Sequence, residues 1–158
     1  MVLSDDEIDH LIKLEKQVTN PKARRLSKRG SEQVNYEAAA PSGERFRVYI
    51  RQNLRLTENF SCGLLWVLPS GDTITLARYN GCDHAHVNPI EGTSPLSMVC
   101  HIHRATEKYM RAGRKAEHYA EATSRYKDCA GALQALVIDC NIRGLGDNPE
   151  DDSQGSLL

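Results

Sequence analysis

The chain has 158 residues, 40% apolar and 26% charged, with a net charge of −1, which is ordinary composition for one globular domain and decides neither for an enzyme nor for a binder. No apolar run approaches the roughly 20 residues needed to cross a bilayer, and the opening MVLSDDEIDH is acidic where a secretory signal is basic and then apolar, so a cytoplasmic protein without a membrane partner is expected. Residues 1–21 sum to −3 and residues 139–158 to −4, leaving +6 for residues 22–138. A basic body between acidic ends points to RNA or another anionic partner, with a cognate protein as a further expectation.

Ser4 offers an N-cap before an acidic first turn, and Ile8, Leu11, Ile12 and Leu14 follow at helical spacing, which predicts an N-terminal helix over residues 1–18. Residues 19–44 lose periodicity and carry Lys22-Ala-Arg-Arg and Lys28-Arg-Gly, the pattern of a basic flexible loop. From Arg45 to Arg51 the residues alternate strictly, with Phe46, Val48 and Ile50 on one side and Arg45, Arg47, Tyr49 and Arg51 on the other. That is a half-buried strand with a basic face.

Phe60–Leu68 reads as a second, more buried strand, and Pro69-Ser-Gly-Asp supplies a turn before a third at Thr73–Tyr79, so the three form an antiparallel meander. A long loop over residues 81–95 leads to a fourth strand, Ser97–His103. Helical periods then place helices at Ala105–Ala112, stopped by Gly113, at Tyr119–Tyr126 and at Ala132–Cys140. The fold class is α+β, an antiparallel sheet of about four strands with helices packed on one face. The core domain spans residues 45–143, and 144–158 form an acidic disordered tail.

The five cysteines, Cys62, Cys82, Cys100, Cys129 and Cys140, form no CxxC pair and imply free thiols, not a disulfide framework. Four of the six histidines lie between Arg78 and Arg104. In a strand, residues two apart share a face, so His101 and His103 point together, and His84 and His86 lie on the loop that faces them. Arg78 continues the buried parity of Ile74 and Leu76 and therefore needs a partner, either a nearby carboxylate such as Asp83 or a bound phosphate.

Three chemistries fit. The first is metal-independent endoribonuclease or phosphodiesterase action, with His84, His86, His101 and His103 as acid/base candidates, Arg78 as phosphate clamp and Tyr79 beside it. Imidazole suits both proton transfers because its unperturbed pKa is about 6.5. Arg45, Arg47, Arg51, Tyr49 and Arg104 would hold the nucleic acid. This chemistry needs no cofactor. The second is metal binding by His84, His86, His101 and His103, with zinc or another transition metal as cofactor. The third is a non-catalytic nucleic-acid or protein-binding regulator or inhibitor, in which the histidines tie the loop to the sheet. His10 and His118 lie outside the cluster on expected helices.

The run Arg78-Tyr-Asn-Gly, followed by His84, His86 and His101-Ile-His103, resembles small bacterial proteins of unassigned function. It is also similar to RNase toxins of the TumE type, which carry Arg-Tyr-Asp-Asn followed by histidines; here Asn80-Gly81 stands where that pattern has Asp-Asn. The resemblance implies RNA cleavage.

Overall fold

A computed structural model describes residues 1–83, 86–92 and 99–145. The elements in chain order are α1 (Asp5–Lys13), β1 (Lys16–Val18), β2 (Arg25–Lys28), β3 (Ser31–Ala39), β4 (Arg45–Asn53), β5 (Phe60–Val67), β6 (Thr73–Asn80), β7 (His101–Arg104), α2 (Glu107–Arg111), β8 (Ala120–Ala122), α3 (Cys129–Asp139) and β9 (Ile142–Arg143). The α+β class holds, but the sheet is larger than four strands. Nine strands run in the order β8-β7-β6-β5-β4-β3-β1-β9, with β2 paired to β3 and a parallel pairing between β1 and β9. Among the described residues, no helix is long and apolar enough to cross a membrane.

α1 starts where its capping chemistry dictates. The Ser4 hydroxyl accepts from Glu7 N at 3.1 Å and the Glu7 carboxylate accepts from Ser4 N at 3.2 Å, which satisfies two end donors reciprocally. Its buried stripe, Ile8, Leu11 and Ile12, joins Leu133 and Leu136 of α3 over Phe46, Val48, Ile50, Cys62 and Leu64 of the sheet in one core cluster. α1 and α3 thus lie on one face of the sheet: Arg104 and Tyr79, which share that face, reach Asp9 of α1 and Asp139 of α3.

The chain ends α1 five residues before the expected bound and turns into β1, where the wholly buried Lys16 closes two helix ends at once. Its ammonium donates to Ile12 O, Leu14 O and Cys140 O at 2.7–2.8 Å and lies 4.7 Å from the centre of the Phe46 ring. Orphan carbonyls at helix C-termini are the natural partners of a cation. Burial draws the Lys16 pKa down to about 8, while the three carbonyls, which accept only from its N–H groups, hold it charged at neutral pH.

The basic loop expected over residues 19–44 is instead the β2–β3 hairpin, and β3 pairs with β4 along its whole length, Ser31↔Asn53 to Ala39↔Arg45. Only Val34 and Ala38 of β3 are buried and all four residues of β2 are exposed, so the backbone ladder, not side-chain burial, makes these strands. The β4–β5–β6 meander is present as expected. The helix expected at Tyr119–Tyr126 is absent. Ala120–Ala122 form β8, which pairs with β7 and takes the edge of the sheet. The fourth strand covers only His101–Arg104; Ser97 and Met98 lie outside the described residues, as does the tail from residue 146 onward.

Candidate functional site

The face of the sheet away from α1 and α3 is polar, and its cross-strand register assembles the site. One row runs Asn35–Tyr49–Gly63–Arg78–His103–Ala120 and the next runs Gln33–Arg51–Ser61–Asn80–His101–Ala122. Arg78 belongs to this face for a reason that alternation in the sequence conceals. The β5–β6 register shifts between Leu64 and Leu65, so Leu64 faces Ala77, Leu65 faces Thr75, and Leu76 is an extra residue. This bulge reverses the parity of the strand beyond it. Leu76 and Ala77 are both buried, and Arg78 and Asn80 emerge on the polar face. The buried parity expected for Arg78 is corrected accordingly, and its carboxylate partner is Glu117 at 3.6 Å.

Tyr49 crosses its neighbour strand over Gly63. A Cβ at Gly63 would stand 2.3 Å from Tyr49 Cε1, so only glycine lets the ring lie there, with its hydroxyl 3.0 Å from Ser61 Oγ. Burial raises the Tyr49 pKa, opposed by Ser61 and by the Arg78 cation nearby.

His101 and His103 are buried, at 0% and 3% exposure, with ring centroids 4.9 Å apart. Each ring is oriented through Nδ1, which lies 3.0 Å from Val99 O in His101 and 2.9 Å from Glu117 O in His103. A carbonyl can only accept, so Nδ1 carries a proton in both rings, and in His103, whose pKa lies far below neutrality, Nε2 is the lone-pair nitrogen of a neutral ring. Desolvation, reinforced by the Arg78 charge and by His101 and His86, pushes the His103 pKa down to about 3. Among the described residues, the buried atoms His103 Nε2, Arg78 Nε and Asn80 Oδ1 find no hydrogen-bond partner.

The segment 86–92 is strapped over these rings. Asn88 exchanges two hydrogen bonds with the Ala120 backbone, at 2.6 and 2.8 Å, while the Tyr109 hydroxyl donates to Glu91 at 2.6 Å and accepts from Ile90 N. The strap sets the His86 ring 5.5 Å from that of His101 and 4.6 Å from that of His103. Because Asn88 Oδ1 accepts from Ala120 N, it also accepts from His86 Nε2, at 3.0 Å. Burial lowers the His86 pKa, whereas the hydrogen bonds to Asn88 and to the His118 backbone favour its protonated form.

Of the expected site residues, the structure therefore brings together His86, His101, His103, Arg78 and Tyr49. His84 lies outside the described residues. Tyr79 is not part of the site. It points into the core, donates its hydroxyl to Asp139 and stacks on Tyr126 at 6.1 Å. Arg104 is on the helix-covered face, 3.0 Å from Asp9, and leaves the nucleic-acid set. Arg45, Arg47 and Arg51 share the polar face, with Arg47 paired to Glu37 at 2.9 Å. Among the described residues, no group of three or more His, Cys, Asp or Glu side chains is arranged to hold a metal ion.

Sequence reasoning missed Glu117, His118, Asn80 and Asn88. His118, expected outside the cluster on a helix, lies in the turn between α2 and β8, its ring 5.2 Å from His86 and stacked on Tyr109 at 5.3 Å. Asn80 alone carried a usable signal, since it sits two residues from Arg78 and shares its face. No protein-family model, curated protein or solved structure matches this chain.

Proposed function

We propose that the polar face around Arg78 and His103 is a metal-independent site for RNA phosphodiester cleavage. One observation carries the reading: among the described residues, His103 spends Nδ1 on a backbone carbonyl and leaves Nε2 unpartnered, beside the unpartnered Arg78 Nε and Asn80 Oδ1. A histidine kept only for packing would use both nitrogens, because a buried polar atom without a partner costs about 1–3 kcal/mol. One donor and two acceptors left open together fit a ligand that offers both kinds of group, as a ribose hydroxyl beside a phosphate does.

The roles follow from the hydrogen bonding. Neutral His103 takes the 2′-hydroxyl proton on Nε2, and the oxygen attacks phosphorus to form the 2′,3′-cyclic phosphate. His86, whose ring lies 4.6 Å from that of His103, is placed to return a proton to the departing 5′-oxygen. Arg78 steadies the charge that builds on the phosphoryl oxygens. Burial first, and the guanidinium charge second, depress the His103 pKa; a bound phosphate offsets the second of these and so strengthens the base. Arg45, Arg47 and Arg51 line the approach to this position.

The test is cleavage of single-stranded RNA by the purified full chain in the presence of chelator. A 2′,3′-cyclic phosphate product is expected. Activity that vanishes with chelator and returns with zinc would replace this reading by a metal-dependent one, and RNA bound without turnover would make the protein a binding module.

A further inference from the structure

We propose that Cys82 and Cys100 are an oxidation site, a thiol pair that a hydroperoxide closes to an intramolecular disulfide across the mouth of the β6–β7 ladder. The proposal is independent of the RNA reading. Asn80↔His101 is the last pair of that ladder, so Cys82, two residues beyond Asn80, and Cys100, one residue before His101, sit where the two strands part. The stems are fixed: the Tyr126 hydroxyl reaches Asn80 O at 2.8 Å and His101 O at 3.1 Å. Both side chains belong to the same packing, Cys100 within the buried core cluster and Cys82 against it.

Exposure sets the order of events. Both cysteines are free; Cys82 is partly exposed and Cys100 is buried. Burial, with the Cys82 thiol next, raises the Cys100 pKa to about 11 and keeps it a thiol, so the first attack falls to Cys82. The Cys82 sulfur attacks the peroxide oxygen, the O–O bond breaks, and Cys82 becomes a sulfenic acid. The Cys100 sulfur then displaces its hydroxyl as water and the S–S bond forms. Two thiols lose two protons and two electrons, and hydrogen peroxide becomes two waters.

The protein contains its own comparison. Cys62 lies beside Cys129, its sulfur 4.0 Å from the Cys129 carbonyl oxygen, but both are buried and give an oxidant no entry. A Cys82–Cys100 bond would close the end of the ladder that carries Asn80 and His101, two residues of the polar face.

The experiment treats the reduced full chain with equimolar hydrogen peroxide. The expected product is a monomer about 2 Da lighter, its peptide map linking Cys82 to Cys100, and the loss is reversed by dithiothreitol. Cys100→Ser should instead gain about 16 Da at Cys82 as sulfenic acid at this dose, and about 32 Da as sulfinic acid with a second equivalent, for want of a resolving thiol. If that variant fails to fold, Cys82→Ser, which should stay unoxidised at the same dose, replaces it. A wild-type chain that forms sulfinic acid at Cys82 while Cys100 stays reduced, that links only between molecules, or that joins Cys62 to Cys129 first would overturn the proposal.

Discussion

Arg78 stands directly opposite His103 in the β6–β7 ladder, and the pair faces the polar side of the sheet only because Leu76 is an extra residue in β6. The bulge buries Leu76 and Ala77 in succession, and the cation emerges beside an imidazole whose Nε2 has no partner among the described residues. Bulges commonly re-aim side chains next to functional sites.

The glycine across from Arg78 gives the first test. Gly63→Ala places a methyl group where the Tyr49 ring lies, forcing the ring off Gly63 and breaking its contact with Ser61. A loss of about 1–3 kcal/mol is expected in denaturant unfolding. Unchanged stability would show that Tyr49 is not packed as described.

Acid stability tests the state of His103. Its folded pKa of about 3 lies below the unfolded value of about 6.5. Between these values the unfolded chain binds the proton and the folded chain does not, so stability is full above pH 6.5 and falls as pH drops toward 3. The contribution is on the order of 5 kcal/mol across this window. His103→Asn, which retains an N–H for the Glu117 carbonyl, should show a shallower loss from pH 6.5 to pH 4 than wild type. Parallel curves for the two proteins would mean that His103 is not held neutral.

Lys16 is the clearest case of a polar side chain that the fold requires. Lys16→Met keeps most of the stem but strips three carbonyls of their donor, and should cost roughly 2–4 kcal/mol. Equilibrium unfolding at neutral pH decides this; a loss below about 1 kcal/mol would mean that water replaces the ammonium there.

How far the fold was legible depended on how strongly each segment alternates. β4, with Phe46, Val48 and Ile50 inward, and α1, with its Ser4–Glu7 capping box, announced themselves. β3 did not, because its buried positions, Val34 and Ala38, fall four apart and are separated by polar residues. The bulge at Leu76 was invisible for a different reason: register is a property of two strands, and alternation along one of them misassigned Arg78. Tyr119, Ala120, Thr123 and Tyr126 imitated a helical stripe, yet Ala120 pairs with His103 in β8. The HxH pairs pointed to the neighbourhood where His86, His101 and His103 meet, whereas Glu117 and His118 reach it through tertiary packing that no local pattern encodes.

The basic face separates electrostatic binding from fold stability. Reversing Arg45, Arg47 and Arg51 together to glutamate should weaken RNA binding at least tenfold and flatten its dependence on salt, with little effect on folding, since phosphate contacts release counterions. Arg104→Glu lies on the other face, beside Asp9, and should leave binding unchanged. Equal affinity and equal salt slope for the triple variant and wild type would remove nucleic acid as the partner of this face.

The most direct measurement is the rate of cleavage of a single-stranded RNA, in chelator, by wild type and by His103→Ala, with folding of both confirmed beforehand. Cleavage by paired imidazoles predicts a 2′,3′-cyclic product, a bell-shaped pH dependence and a loss of roughly a hundredfold or more in the variant. A folded His103→Ala that cleaves as fast as wild type, or a wild type that binds RNA and never cleaves it, would contradict a catalytic role for this site.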